Sequence, residues 1–262
     1  MLFGFFLISV MPKKEILHLQ VDANERLRAD LHLLRMRRTD GQPMPPMPAG
    51  NFVQVRPPQN ATTLNRPISV CDCYADYLEL LVRRAGAGTD AMCDAQSGTM
   101  ITVIGPMGNT FSTTATAPLL VGGGVGIAPI FALAKAYAGK GICPEVVFGE
   151  RTAPAQQIVT KLEKVARVHI CTDDGSEGFH GLVTDSPAWN GSFDMVHTCG
   201  PLPMMKAVAA KAAAAGISCE VSLENRMACG IGACLCCVED TTDGRRCVCT
   251  HGPVFNTKEL TW

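Results

Sequence analysis

Short runs of alternating apolar and polar side chains occupy the first part of the chain. Leu17, Leu19 and Val21 alternate with His18 and Gln20 across Ile16–Val21. Leu31–Arg37 is strand-like, Asn51–Val55 alternates again, and Tyr77–Arg83 and Met100–Ile104 follow. A Pro-rich stretch, Gly41–Gly50, reads as a loop, and Pro57-Pro58, Gly86 and Gly88 read as turns. Short strands at this spacing predict a small antiparallel β-barrel ending near Phe111.

The period then changes. Ala117–Val121 is a short apolar run, Gly122–Gly126 is glycine-rich, and Ala128–Ala138 is an Ala-rich helix pattern. Glu145–Phe148, Val168–Thr172 and Met195–Cys199 read as strands, with helices predicted over Gln156–Val165 and Leu202–Ala215. Strands alternating with helices predict a parallel sheet covered by helices. The last stretch, Gly216–Trp262, is cysteine-dense and is expected to end in loops. The fold class is therefore all-β plus α/β: an antiparallel barrel over residues 1–113, a Rossmann-like domain over 114–215 and a small module over 216–262.

Composition narrows the function classes. Of 262 residues, 47% are hydrophobic and 18% charged, enough for a substantial core. The net charge of −1 argues against a general polyanion binder, and 6% aromatics are too few for a base-stacking surface. No nucleic-acid partner is expected. Met1–Val10 is apolar but far short of the roughly 20 residues that span a bilayer. It lacks a basic n-region and a convincing cleavage site, and reads as a non-native or optional extension ahead of a start at Met11, with a small anchor or packing strand as the alternative. No membrane association is expected, and the cytoplasm is the default location.

Cysteine changes the picture most. Of 13 cysteines, seven are scattered from Cys71 to Cys219 and six crowd into Cys229–Cys249. An odd count in a long apolar chain points to a reducing compartment and a metal or redox site rather than a disulfide scaffold. Cys229, Cys234 and Cys237 form C-x4-C-x2-C with further cysteines downstream, the spacing of plant-type [2Fe–2S] sites. Gly230 and Gly232 lie where backbone amides must approach the inorganic sulfurs. A structural zinc site is the alternative, but it usually shows two paired C-x2-C knuckles and only one x2 pair is present. For the fourth ligand, an extended Arg246–Thr250 would send Cys247 and Cys249 to the same face, so periodicity does not choose between them. Cys236 is an extra thiol inside the loop.

Leu119–Val121 runs through Gly122, Gly123, Gly124 and Gly126 into a helix, a site where helix amides can meet a pyrophosphate. Glu150 ends the second strand, near where an acidic group can bind a ribose, and Arg151 beside it clouds any choice between NAD and NADP. Cys199, in Thr198-Cys199-Gly200-Pro201, sits at a later strand exit where it could face a nicotinamide. In the barrel region, Arg66-Pro67-Ile68-Ser69 supplies a guanidinium and a hydroxyl, and Arg83 with Gly88-Thr89 offers a second cation and an anion nest.

In order, these motifs, with Gly105-Pro106-Met107-Gly108-Asn109, resemble the ferredoxin–NADP reductase-like superfamily. Adding the cysteine loop and Cys249-Thr-His-Gly-Pro-Val-Phe255, the chain resembles the iron–sulfur and FAD electron-transfer subunits of type B dihydroorotate dehydrogenase. The resemblance runs from Met11 to the C-terminus. It implies Cys229, Cys234, Cys237 and Cys249 as cluster ligands, and so selects Cys249. It implies Arg66, Pro67, Ile68 and Ser69 on the flavin side of FAD, Leu81, Val82 and Arg83 lining it, and Gly88 and Thr89 on its pyrophosphate. Val82 stands where the family commonly has tyrosine, and Asn65 replaces a frequent second arginine.

The resemblance implies a reaction scheme. An FMN-containing catalytic partner oxidises dihydroorotate to orotate, and electrons pass through [2Fe–2S] and FAD to NAD⁺, in de novo pyrimidine synthesis. Two such subunits with two catalytic ones make the expected heterotetramer. Length agrees, because the three zones leave no room for a TIM barrel of about 250 residues. One alternative is the small subunit of a ferredoxin:NADP transhydrogenase or sulfide dehydrogenase, relatives that typically use an aspartate ligand where this chain has Cys229. Another is a non-enzymatic zinc-bound interaction module.

Overall fold

The computed structural model describes residues 13–262. The Met1–Val10 extension lies outside them. Six strands close an antiparallel barrel: β1 (Glu15–Arg26), β2 (Leu31–Arg38), β3 (Phe52–Arg56), β4 (Arg66–Cys73), β5 (Leu78–Arg83) and β6 (Met100–Met107), in the order β1-β2-β5-β4-β3-β6. Leu17, Leu19 and Val21 of β1 point inward with Leu34, Met36, Val53, Val55 and Val103. β2 and β5 do not alternate cleanly because both faces are covered. Leu31, Leu33 and Leu81 pack outward against the second domain while Leu34, Leu80 and Val82 fill the barrel. β3 is likewise buried from Phe52 to Val55, where alternation was expected.

Between β5 and β6 lies a helix, α1 (Ala87–Cys93), where Gly86 and Gly88 predicted a turn. Its ends are held from outside its own sequence. Thr89 Oγ1 accepts from Ala85 N at 2.8 Å and donates to Gly86 O at 3.0 Å. Asn24 Nδ2 of β1 donates to the carbonyls of Met92, Cys93 and Ala95 at 3.2, 3.0 and 2.8 Å. Such long-range capping satisfies the terminal carbonyls and leaves little trace in the local sequence.

The second domain is a sheet of seven strands. β7 (Pro118–Gly123), α2 (Ile127–Ala138), β8 (Glu145–Glu150), α3 (Gln156–Glu163), β9 (Arg167–Thr172) and the short β10 (Phe179–His180) build one half. β11 (Met195–Cys199), α4 (Leu202–Ala214) and β12 (Ser218–Ser222) build the other, giving the order β10-β9-β8-β7-β11-β12 with all neighbours parallel. The order in which strands are added to the sheet reverses between β7 and β11. That switch point opens the crevice where doubly wound sheets bind ligands.

The C-terminal stretch carries more regular structure than expected before its last irregular residues. A hairpin, β13 (Val238–Thr241) and β14 (Gly244–Cys247), leads to a single helical turn, α5 (Val248–His251), and then to β15 (Val254–Asn256). β15 pairs antiparallel with β12 as the seventh strand. Residues beyond 215 thus supply two strands of the nucleotide-domain sheet, and the cysteine loop is an excursion between them. Glu79 of β5, 1% exposed, bridges Arg35 and Lys161 of α3 at 2.7 Å each. Asp72 of β4 meets Lys135 of α2 at 2.5 Å. Among the described residues no helix is long and apolar enough to cross a membrane.

Candidate functional site

The glycine-rich exit of β7 lies at the switch point. Cys199 ends β11 in register with Gly122, and Gly126 packs on the Cys199 carbonyl so closely that a Cβ at 126 would overlap it. Glycine is required there to bring the two strand exits together. Arg83, from the barrel, brings its Nη1 to 3.2 Å from where a Cβ of Gly124 would stand. Its Nη2 lies 3.4 Å from Glu150 Oε1, and its Nε lies 3.4 Å from Asp30 Oδ2. Arg28 also reaches Glu150 at 3.4 Å. The carboxylate expected to meet a ribose is therefore held by two barrel arginines.

The Cys199 side chain is 6% exposed. Burial, with the Glu224 carboxylate adding and a hydrogen bond to Ser222 opposing, pushes its thiol up to about 12. At neutral pH it is an uncharged thiol. Beside it Gly200, Pro201, Met205, Leu223, Glu224 and Asn225 line a cavity of ≈ 340 Å³. Ser222 and Glu224 carried no motif signal; only the pairing of β11 with β12 brings them to Cys199.

On the barrel, Arg66, Pro67, Ile68 and Ser69 open β4 and are all half-buried, whereas Val70, Cys71 and Asp72 after them are buried. Arg66 Nη1 donates to Leu64 O at 2.8 Å and Asn65 O at 3.3 Å. Its Nε lies 2.7 Å from where a Cβ of Gly88 would be, so α1 begins against this guanidinium. Leu81 and Val82 present no side chain here: Leu81 is buried between the domains and Val82 inside the barrel. The Thr89 hydroxyl is engaged in the 85–89 turn. A half-buried strand start, two arginines and a close glycine fit the flavin and pyrophosphate of FAD, with Leu81 and Val82 able to contribute only main-chain atoms.

In the cysteine loop, Cys229 Sγ accepts from the N–H groups of Ile231 and Cys234 at 3.4 Å each. These two amides, with Cys234 adding, bring its thiol down to about 6. Cys237 is buried and its Sγ accepts from Cys249 N at 3.4 Å. Cys247 closes β14 and Cys249 lies within α5, so the extended Arg246–Thr250 that would align them does not form. Both are buried; burial, then Cys237, pushes Cys249 up to about 12, and burial raises Cys247 as well. Cys234 and Cys236 are exposed.

Amide donors aimed at sulfur, low thiol pKa at the loop start and buried thiols opposite suit a cluster with two irons. The loop is held against the barrel: a Cβ at Gly230 (φ 68°) would meet Met107 Cε at 2.6 Å and Gln54 at 3.3 Å. Gln54 was not legible as a site residue.

The sequence profile of the iron–sulfur cluster binding domain of dihydroorotate dehydrogenase B matches residues 224–261. The electron transfer subunit of dihydroorotate dehydrogenase B (NAD⁺) from Listeria welshimeri is 38% identical over 224 residues, 82% of this chain and 87% of that one. The subunit of the same name from Caldanaerobacter subterraneus subsp. tengcongensis is 35% identical over 247 residues, 92% and 96% of the two chains. Among solved structures, an NADH-dependent reduced ferredoxin-NADP oxidoreductase superposes with a TM-score of 0.81 at 26% identity, covering 93% of this chain and 90% of its own. Phthalate dioxygenase reductase shares the fold, with a TM-score of 0.61 at 21% identity over 76% and 64% of the chains. Barrel, switch-point glycines and cysteine loop thus occur together in a chain this similar to those subunits along most of its length, and it belongs to the family of dihydroorotate dehydrogenase B electron transfer subunits.

Proposed function

We propose that this chain carries electrons from dihydroorotate, oxidised to orotate on the FMN of a catalytic subunit, to NAD⁺ in de novo pyrimidine synthesis. The net change is dihydroorotate plus NAD⁺ to orotate plus NADH and a proton. When bound, the cluster supplies one-electron transfer and FAD couples it to two-electron hydride exchange with nicotinamide.

The observation that carries this reading is the seat of the cysteine loop on the barrel strand that pairs with the flavin motif. Gly230 abuts Gln54, and Gln54 pairs with Pro67. Cys229, Cys234, Cys237 and Cys249 hold the cluster, with Cys247 and Cys236 outside the ligand set. Arg66, Pro67, Ile68 and Ser69 hold the flavin side of FAD, Leu81 and Val82 by main chain and Arg83 line it, and the amides of Gly88 and Thr89 bind its pyrophosphate. Gly122, Gly123, Gly124 and Gly126 form the floor of the NAD site, where the neutral Cys199 thiol shapes the nicotinamide pocket without donating charge.

Ile231 and Leu235 are 65% and 64% exposed on the cysteine loop. They suit the catalytic partner's surface, so that electrons arrive beside the thiolates. The organisation is a barrel to residue 113, a nucleotide domain over 114–215 and a cluster segment over 216–262 that lends β12 and β15 to the sheet. The complex is a cytoplasmic heterotetramer of two plus two. Co-expression with an FMN-containing dihydroorotate dehydrogenase subunit tests this: a stable complex reducing NAD⁺ with dihydroorotate supports it, and capture of a ferredoxin-linked subunit instead overturns it.

A further inference from the structure

Gln54 stands on β3 between the two cofactor-handling regions. Val53 and Val55 turn into the barrel, so Gln54 turns outward with Phe52. Its register partners are Pro67 in the flavin motif and Ile104 on β6. Gln54 is 2% exposed, and neither Nε2 nor Oε1 has a hydrogen-bond partner among the described residues. Gly230 of the cysteine loop, next in sequence to Cys229, abuts this amide, with Nε2 at 3.3 Å from the Cβ position. Burying a primary amide with both ends unpaired is costly, and a chain that keeps one usually has a partner for it outside the polypeptide.

We infer that the Gln54 carboxamide donates a hydrogen bond to the sulfur shell of the [2Fe–2S] cluster held by the Cys229 loop, tuning its reduction potential. Two bound groups could supply such an acceptor, the cluster or the flavin. The amide abuts the residue next to a proposed ligand, whereas its link to the flavin motif is a backbone pairing, and this favours the cluster. A donor to sulfur stabilises the more negative, reduced cluster and so raises its potential. This inference rests on the cluster reading proposed above.

The test is a redox titration of the cluster and of FAD in the complex with the catalytic subunit, comparing wild type with Gln54→Leu and Gln54→Met. Both substitutions keep the volume and remove the donor. The cluster's one-electron reduction constant is expected to fall about tenfold, equivalent to about 59 mV, with the FAD midpoint unchanged. Amide-¹⁵N-glutamine labelling is expected to give a nitrogen coupling to the reduced cluster in wild type that is absent from both variants. An unchanged cluster potential in a variant that retains its cluster overturns the inference, as does a shift at FAD alone. Wild-type protein without cluster absorption after reconstitution would instead sink the cluster reading itself, so the two failures are distinguishable.

Discussion

Asn109 and Val254, far apart in sequence, are joined by a two-way hydrogen bond. Asn109 Oδ1 accepts from Val254 N at 2.9 Å and its Nδ2 donates to Val254 O at 2.8 Å. The same Nδ2 reaches His251 O at 3.0 Å. One barrel-end amide therefore pins both sides of the Gly252-Pro253 turn that follows Cys249. Asn109→Ala leaves partly buried backbone groups unpaired and is expected to cost about 2–3 kcal/mol. The effect should concentrate in the cysteine segment: faster cluster loss in chelator, followed by absorbance, with FAD retained. Equal loss rates in variant and wild type would contradict this role.

The choice between Cys247 and Cys249 can be decided directly. The Cys249 N–H donates to Cys237 Sγ at 3.4 Å. Cys249→Ser is expected to abolish or strongly weaken cluster assembly, while Cys247→Ser keeps it. Iron and sulfide content after anaerobic reconstitution reads the result, and the reverse pattern makes Cys247 the ligand.

The barrel and the sheet should separate in acid. Burial works to raise the Glu79 carboxyl, but its hydrogen bonds and charge contacts with Lys161 and Arg35 win and hold it below the usual carboxylate range. A lowered folded-state pKa means the contribution is complete above the unfolded value near 4.3 and disappears as pH falls through the folded one. Glu79→Gln is expected to cost about 2 kcal/mol at pH 7, because the two cations remain partly solvated. Urea denaturation at pH 7 and below pH 4 checks it: the gap between variant and wild type should narrow in acid. A gap independent of pH would remove the charge from the account.

Cys199 should be silent in pH profiles. With its thiol pushed up to about 12, it stays protonated through pH 9. NADH-driven reduction of FAD is expected to show no thiol ionisation between pH 6 and pH 9, and Cys199→Ala should slow hydride exchange while leaving the shape of the profile unaltered. A limb in wild type that the variant lacks would mean the thiol titrates there.

Much of this arrangement is legible in the sequence because local patterns carry it. The alternation of Leu17, Leu19 and Val21, the run Met195–Cys199 and the glycines after Val121 each report a local requirement, a buried face or a strand exit. The cysteine spacing is stronger still, since a loop that wraps a cluster has few workable ligand separations. What escaped depends on distant partners. α1 is held by Asn24 from β1, so Gly86 and Gly88 suggested only a turn. β15 joins the sheet through β12, which no periodicity in three residues announces. Val82 has the right place in a motif, yet its side chain belongs to the barrel core. Gln54 is a polar position in the alternating run Asn51–Val55, and the loop that covers it comes from Gly230, far along the chain.

Under the proposed function, electrons pass through the cysteine loop between a separate dihydroorotate-oxidising subunit and this chain's NAD site. Rapid anaerobic mixing of dihydroorotate and NAD⁺ with the assembled complex, wild type against Cys229→Ser, tests it most directly. Wild type should bleach its cluster before NADH accumulates. The Cys229→Ser complex, with FAD still bound, should reduce its FMN but form NADH at least a hundredfold more slowly, about 2.7 kcal/mol in barrier. NADH formation at the wild-type rate without the cluster would contradict the account.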